Sequence, residues 1–308
     1  IIKKMSKKIV FFGTEDFSAT SLRALIDAGF DIAVVVTKPD TAKGRSKELV
    51  PSPVKVIAQN ANIAVWQPEN AADIAEKIQR LNDPVGVLVS YGKLIPDEIL
   101  KLFNPGIVNL HPSLLPKYRG PSPIESAIIN GDSQTGVSIM QLTHEMDAGP
   151  VYSQIKLPLN GNEYADDLYK TLAKKGAEQL VTSLPSILDG SLQAREQNQA
   201  DIVICQLIEK TDGNIDWNQP AAQIERKIRA YNIWPKSRTK LGNVEVIITK
   251  AHLESGGDMS GKVEIADDKL IVYCGENCLS IDMIQPIGKK EMPVQAFLAG
   301  YKDKITAE

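Results

Sequence analysis

Asn109 and His111 stand two residues apart at the end of an apolar run, Ile107-Val108-Asn109-Leu110-His111, and Pro112 follows them. Residues i and i+2 of a strand face the same side. The spacing therefore predicts a carboxamide and an imidazole projecting together from a strand end, where Pro112 stops further pairing. An amide donor beside an imidazole suits acyl transfer: the amide N–H donates to a developing oxyanion while the imidazole handles the proton of an attacking amine. The same two residues can equally serve to satisfy backbone groups at a strand end. A second stretch, 135–142, reads as another strand, and the turn after it runs Thr143-His144-Glu145-Met146-Asp147-Ala148-Gly149-Pro150. Asp147 near His111 would hold the ring in place, and Gly149 lets the backbone approach a ligand closely. The alternative is an Asx turn ahead of Gly149. His144 reads as a solvent-facing turn residue, and His252 lies outside any motif.

Such strand ends need a sheet to carry them. Residues 8–12 form a β-branched and aromatic run closed by Gly13, the pattern of a buried strand. Residues 14–28 then read as a helix that Thr14 or Asp16 can cap and Gly29 stops. Runs at 32–36, 61–65, 85–89 and 107–110 continue the strands, with helical stretches at 71–79 and 95–103. Alternation of this kind predicts an α/β fold, a Rossmann-like, mostly parallel sheet with helices on both faces and ligand-binding loops along one edge. Residues 168–188 carry apolar side chains at helical spacing, and 189–201 are polar, with Gly190 and four Gln or Asn. Beyond them an amphipathic helix at 221–234, ended by Pro235, precedes short strands at 244–250, 262–266, 270–274 and 279–284. Closely spaced turn residues between those strands predict a small antiparallel barrel or sandwich, followed by a helix at 294–301. The expected organisation is a first domain at 6–188, a linker at 189–207 and a second domain at 208–308.

Composition narrows the functional classes. The 308 residues are 43 % hydrophobic and 24 % charged, with a formal net charge of −3, so the chain is globular and no general polycation. No apolar run approaches the roughly 18 residues that cross a bilayer. The basic start, Ile1-Ile2-Lys3-Lys4-Met5, lacks the apolar core and cleavage site of a secretory signal, and Met5 offers an alternative start. Three cysteines suit a reducing, cytoplasmic setting. Cys274 and Cys278 have no second pair beside them, so no metal is expected. The first turn, Gly13-Thr14-Glu15-Asp16-Phe17, lacks the Gly-x-Gly-x-x-Gly of a dinucleotide site, and its two acids would repel phosphate.

Phe-Phe-Gly-Thr-Glu-Asp-Phe (11–17), His-Pro-Ser-Leu-Leu-Pro (111–116), Tyr-Arg-Gly (118–120) and Met-Asp-Ala-Gly-Pro (146–150) together resemble the 10-formyltetrahydrofolate-dependent formyltransferases. Ile215-Asp216-Trp217, the run 228–235 and Pro286-Ile287-Gly288-Lys289-Lys290 resemble the C-terminal domain of the methionyl-tRNA formyltransferase family. The resemblance spans about Lys7 to Ala299. It implies a monomeric enzyme that takes 10-formyltetrahydrofolate and initiator methionyl-tRNA, needs no metal and touches no membrane. It also implies that Asn109, His111 and Asp147 are the catalytic set, and that the second domain is an OB-like barrel that helps hold the tRNA. Folate contacts are implied at Ser90, Tyr91, Gly92 and Leu94 and along Ser113, Leu114, Leu115 and Pro116. The loop 37–55 has five basic residues against two acidic ones, a surplus of three, which suits phosphate contacts. By resemblance Arg45 would wedge against the tRNA acceptor end, with Lys43 and Lys47 beside it. The family often has a second Arg after Pro-Asp, and here that position is Thr41. The second domain carries 14 Lys/Arg and 15 Asp/Glu over 206–308, so a tRNA-facing surface must be one-sided. Arg229 and Lys236 are expected there, with Arg226, Lys227, Arg238, Lys240, Lys289 and Lys290 nearby. Two rival readings remain: formylation of a small amine such as an amino-sugar nucleotide, or folate hydrolysis; and a non-catalytic nucleotide- or RNA-binding module.

Overall fold

The structure is a computed structural model that describes residues 7–42, 48–257 and 259–305. The chain forms two compact units. The first takes the residues up to Gly120, then Thr135–Leu157 and Tyr169–Ile204; the second takes Pro121–Gln134, Pro158–Leu168 and the chain from Cys205 onward.

The first unit is built on a seven-stranded sheet in the order Val151–Pro158, Gln134–Gln141, Ile107–His111, Val85–Val89, Ile9–Gly13, Ile32–Val36, Ala64–Trp66. Ile9–Gly13 runs parallel to both of its neighbours, pairing Val10 with Val34 and with Gly86. Its five residues are all buried, as a strand covered on both faces requires. Ile107–His111 lies where the sheet changes sense: it is parallel to Val85–Val89 but antiparallel to Gln134–Gln141, setting Asn109 opposite Met140 and His111 opposite Ser138. Beneath this region Val10, Phe12, Val34, Ile78, Tyr91, Ile99, Phe103 and Ile107 form one apolar cluster. Phe12 meets the rings of Tyr91 and Phe103 edge-on at 5.5 and 5.9 Å. Each fully buried side chain of this size contributes about 1.5–3 kcal/mol, so the strand that bears Asn109 and His111 stands on a rigid floor.

Several local expectations shift. The first helix is Asp16–Asp27, and neither Thr14 nor Asp16 caps it; Glu15 is the N-cap residue, and the Thr14 hydroxyl donates instead to the Tyr91 carbonyl at 2.9 Å. Gly29 does stop the helix, with φ +79°. The stretch 71–79 is a 3-10 turn, Ala71–Ile74, followed by Ala75–Gln79. Pro96 occupies the N-cap of the next helix, which is only Asp97–Leu100. The strand expected at 61–65 is Ala64–Trp66, because 61–63 close a helix, Pro53–Asn60, that the sequence pattern does not single out. Its signals are present: Ser52 caps it, accepting from the Lys55 N–H, and Pro53 takes a first-turn position. The strand Val151–Pro158 and the helix Pro123–Ile129 are likewise additions.

The segment read as a linker is fastened to the first unit along part of its length. Arg195 and Val151 exchange backbone hydrogen bonds, and Val203–Ile204 pairs with Lys117–Arg119. Gln197 within it is buried.

The second unit carries an antiparallel sheet ordered Ser237–Leu241, Val244–Glu254, Cys278–Pro286, Lys269–Tyr273, Val263–Ala266, with Met292–Pro293 added to Cys278–Pro286. At its reversals Gly242, Asp267, Asp268 and Asn277 all have positive φ. Ile224 and Ile228 of the helix Ala221–Ala230 and Phe297 of Val294–Ile305 pack with Val246, Ile248, Leu270 and Val272. The first of those helices ends at Ala230 rather than 234, because the chain folds back and the Lys236 N–H donates to the Tyr231 carbonyl at 3.0 Å.

Candidate functional site

Asn109 and His111 occupy the end of their strand in the first unit, and both are 5 % exposed. The His111 ring is held from two sides. Its Nε2 lies 2.8 Å from the Tyr118 carbonyl oxygen; a carbonyl only accepts, so Nε2 carries the proton there. Nδ1 faces Asp147 Oδ2 at 3.6 Å. With Nε2–H committed to that carbonyl, Nδ1 is the ring nitrogen left facing the carboxylate.

Each partner is placed by an uncommon backbone conformation. Tyr118 has φ +61°, a left-handed conformation that costs a bulky residue of order 1–3 kcal/mol, and it is this turn that presents its carbonyl to the imidazole. Asp147, with φ +50°, accepts a hydrogen bond from the Gly120 N–H at Oδ2, 2.8 Å. Gly149 is required by the fold itself: an added Cβ would run into the Gln141 carbonyl of the adjoining strand end. It allows the turn to close on its own strand.

The sequence reading missed the groups that brace this turn. Gln197 Nε2 donates to both the Asp147 and Gly149 carbonyls at 2.7 Å, and its Oε1 accepts from Arg119 Nε at 3.0 Å. The Tyr-Arg-Gly motif pointed to the strap 118–120, but nothing local in the polar stretch around Gln197 marked it as buried. Of the other histidines, His144 is exposed, as expected, beside Asp97. His252 is paired on the second unit's sheet with Asp282.

Around the expected folate residues the structure is mixed. Ser90 (φ +45°) and Tyr91 turn their carbonyls onto Thr14, which donates through its N–H and hydroxyl respectively. The Tyr91 side chain is core, and burial pushes its hydroxyl up to about 12. Gly92, with φ +71°, leaves room for the Lys38 ammonium, and Leu94 is 80 % exposed. Ser113 to Pro116 are stitched to the sheet: Ser138 Oγ donates to the Ser113 carbonyl and accepts from the Leu115 N–H, while Gln154 donates to the Leu115 carbonyl. Leu115 and Pro116 border an open cavity of about 330 Å³, lined also by Tyr152, Gln154, Arg195 and Gln197 but not by Asn109, His111 or Asp147.

Lys43, Arg45 and Lys47 lie outside the described residues. The base of their loop is clamped: Lys55 Nζ reaches Asp40 Oδ2 at 2.6 Å and Gln67 Oε1 at 2.7 Å, and Gln67 Nε2 donates to Asp40 Oδ1. The Lys55 and Gln67 hydrogen bonds hold the Asp40 carboxyl below its usual range. Lys55 is thereby an internal anchor, not one of the loop's spare cations. Arg229 is a correction of the same kind. It is 6 % exposed, its Nε and NH2 engage both oxygens of Glu225 at 2.6 and 2.9 Å, and NH1 donates to the Glu163 carbonyl. A guanidinium so enclosed presents nothing to a phosphate. Lys236 is half-buried with φ +70°. Among the described residues no group of three or more His, Cys, Asp or Glu could hold a metal, and no helix is long and apolar enough to cross a membrane.

Known proteins are similar to this chain in sequence and in fold. A family model described as "Formyl transferase" matches residues 7–184, and one described as "Formyl transferase, C-terminal domain" matches 207–302. The chain is 39 % identical over 306 residues to the methionyl-tRNA formyltransferase of Pseudoalteromonas translucida, covering 97 % of this chain and 95 % of that protein. It is 37 % identical over 304 residues to the corresponding protein of a Sulfurihydrogenibium species, covering 96 % and 98 %. Among solved structures, an N-formyltransferase from Helicobacter canadensis in complex with folinic acid and dTDP-3-aminofucose superposes with a TM-score of 0.68 at 18 % identity, over 90 % of this chain and 99 % of that one. HypX from Aquifex aeolicus in complex with tetrahydrofolic acid gives 0.64 at 17 % identity, over 95 % and 47 %. At those identities the structural likenesses speak to the fold alone.

Proposed function

The chain belongs to the formyl transferase family, with methionyl-tRNA formyltransferases as its relatives over nearly its whole length, and we propose that it transfers the formyl group of 10-formyltetrahydrofolate to the α-amino group of methionyl-tRNA. The observation that carries the reading is the buried His111, whose Nδ1 faces the Asp147 carboxylate at 3.6 Å, with the buried Asn109 two residues before it on the same strand end.

The chemistry follows from those positions. The amine nitrogen attacks the formyl carbon, and charge moves onto the formyl oxygen. The Asn109 carboxamide and a proton on His111 Nδ1 stabilise that oxyanion, in a setting shielded from water where such donors are worth most. The bond from carbon to N10 then breaks, the proton shed by the amine is passed to N10, and formylmethionyl-tRNA and tetrahydrofolate leave. Asp147 balances the charge on the ring. The Tyr118 carbonyl fixes which nitrogen is available, and the Gly120 N–H fixes which carboxylate oxygen faces it.

In this reading folate lies along 90–94 and 113–116; the Ser90, Tyr91, Ser113 and Leu115 carbonyls are taken up by Thr14, Ser138 and Gln154, so the contacts fall to the other groups of those segments. The tRNA is met by Lys43, Arg45 and Lys47, on a loop whose base the Asp40–Lys55–Gln67 cluster closes. In the second unit Arg226, Lys227 and Lys236 serve where Arg229, enclosed by Glu225, does not. A transfer assay with 10-formyltetrahydrofolate and methionyl-tRNA, run beside unacylated tRNA and an amino-sugar nucleotide, tests the reading. Formylation of the charged tRNA alone is expected. Transfer to the sugar nucleotide with the charged tRNA untouched would overturn the substrate assignment.

A further inference from the structure

Gln197 stands apart from every residue that carries the proposed reaction, in a polar stretch whose sequence reads as a tether, yet it is 7 % exposed and all of its hydrogen-bonding capacity is directed inward. Its carboxamide has two N–H groups, and they go to the carbonyls of Asp147 and Gly149, the residues on either side of Ala148 in the turn that holds the carboxylate. Its oxygen takes the Arg119 Nε–H. Arg119 is flanked by Tyr118, whose carbonyl fixes His111 Nε2, and by Gly120, whose N–H fixes Asp147 Oδ2.

These contacts make closed loops. One short strap, 118–120, touches the imidazole, the bridging amide and the carboxylate through three successive residues. Gln197 joins the middle of that strap to the backbone beneath the carboxylate. Rotating the Asp147 turn, or sliding the strap, would break two or more buried hydrogen bonds at once and leave their partners without replacement. Both Tyr118 and Asp147 sit at positive φ, conformations that persist only where surrounding groups enforce them. A side-chain amide also has the chemistry this bridge demands. Only Gln or Asn can donate twice to carbonyls while accepting from a guanidinium, and Gln has the reach.

We propose that Gln197 is a positioning residue of the formyl-transfer site: it locks the strap 118–120 to the Asp147 turn, so that the carboxylate faces His111 Nδ1 in the geometry the reaction uses. The proposal rests on the formyl-transfer reading of Asn109, His111 and Asp147. Gln197 touches no reacting atom. Its loss acts through the Asp147–His111 distance, and misplacement on the ångström scale near reacting groups lowers turnover by one to two orders of magnitude.

The test compares full-length wild type, Gln197→Met and, as a control on the same stretch, Gln199→Met, reading kcat, KM for each substrate and thermal midpoint, with kcat expressed per folded molecule. Gln197→Met keeps the length and volume of the side chain and removes its three polar contacts. It should lower kcat by about tenfold or more while each KM stays within about twofold; Gln199→Met should match wild type. A purely structural role would lower the thermal midpoint and leave kcat per folded molecule unchanged, and that result overturns the proposal. Should Gln197→Met not accumulate as folded protein, Arg119→Lys, which removes the guanidinium end of the same bridge, must lower kcat by roughly threefold or more; an unchanged kcat there overturns it equally. If wild type itself fails to formylate methionyl-tRNA, the underlying reading of the site falls, and the role of Gln197 with it. A wild type that works beside a Gln197→Met that works as well removes the role of Gln197 alone.

Discussion

Each of the three histidines faces a carboxylate, and two of the pairs, His111–Asp147 in the first unit and His252–Asp282 in the second, make an instructive contrast. The exposed pair is the closer one, 3.0 Å from Nδ1 to Oδ1, and His252 also lies 3.5 Å from Glu254. The buried pair is 3.6 Å apart. Distance alone would choose the exposed pair. The His252 and Asp282 side chains are 53 % and 33 % exposed, whereas those of His111 and Asp147 are 6 % and 15 % exposed. Water and salt screen the first pair, and its interaction is worth little. The second is held by the Tyr118 carbonyl, the Gly120 N–H and Gln197, and its partners cannot swing away. A strand-end amide, Asn109, stands two residues from the buried ring. Hence enclosure and bracing, more than proximity, mark where a proton can be put to use.

That contrast can be broken at several points. The largest effect is expected at the donor beside the ring: Asn109→Ala should lower kcat by about 10² or more, the usual loss when an oxyanion donor is removed, in a steady-state assay of methionyl-tRNA formylation. Asp147→Asn keeps an acceptor for the Gly120 N–H but removes the charge facing Nδ1, and about a tenfold or greater fall in kcat is expected with folate KM little changed. Lys55→Met tests whether the clamp at the base of the basic loop matters. An ion pair at the surface is worth little, so KM for tRNA should rise by no more than about fivefold while folate KM holds. A tRNA KM equal to wild type would make the clamp irrelevant to substrate capture.

The contrast between buried and exposed also governs the thiols. Burial pushes Cys274 up to about 11, from an ordinary value of 9.0, and raises Cys278 as well. Both should resist thiol reagents at pH 8 in the folded protein and react once it is denatured. With the folded value above the unfolded one, the stabilisation from a neutral Cys274 is complete below pH 9 and is lost as pH rises toward 11. Urea midpoints measured across that window should fall; midpoints that stay level would contradict the burial argument.

The side chains proposed to carry the reaction were legible in the sequence because their signals are local. Asn109 and His111 announce themselves by strand spacing and Pro112, and Asp147 by the turn that contains Gly149. The groups that aim them were not, because they are distant in the chain or belong to the backbone. Gln197 acts across 50 residues on Asp147 and across 78 on Arg119, and Tyr118 contributes a carbonyl whose direction depends on φ. The same limit misled the reading of charge: Arg229 looks like a free helix cation, but Glu225 one turn earlier and the Glu163 carbonyl enclose it. The helix Pro53–Asn60 was hidden for a different reason. Its cap and proline were visible at Ser52 and Pro53, but the basic residues around them drew the whole stretch into one loop. The alternation of strand and helix was readable from β-branched runs such as Val85–Val89, whereas Val151–Pro158, polar and half-exposed at the sheet edge, carried no such mark.

The most direct test of the central claim is kcat for methionyl-tRNA formylation by His111→Ala measured beside His252→Ala. The enclosed, braced histidine should be indispensable, with kcat lower by about 10² or more, and the exposed one, despite its closer carboxylate, should be replaceable with kcat within about twofold of wild type. Near-normal turnover by His111→Ala, or an equal loss in both variants, would contradict the account.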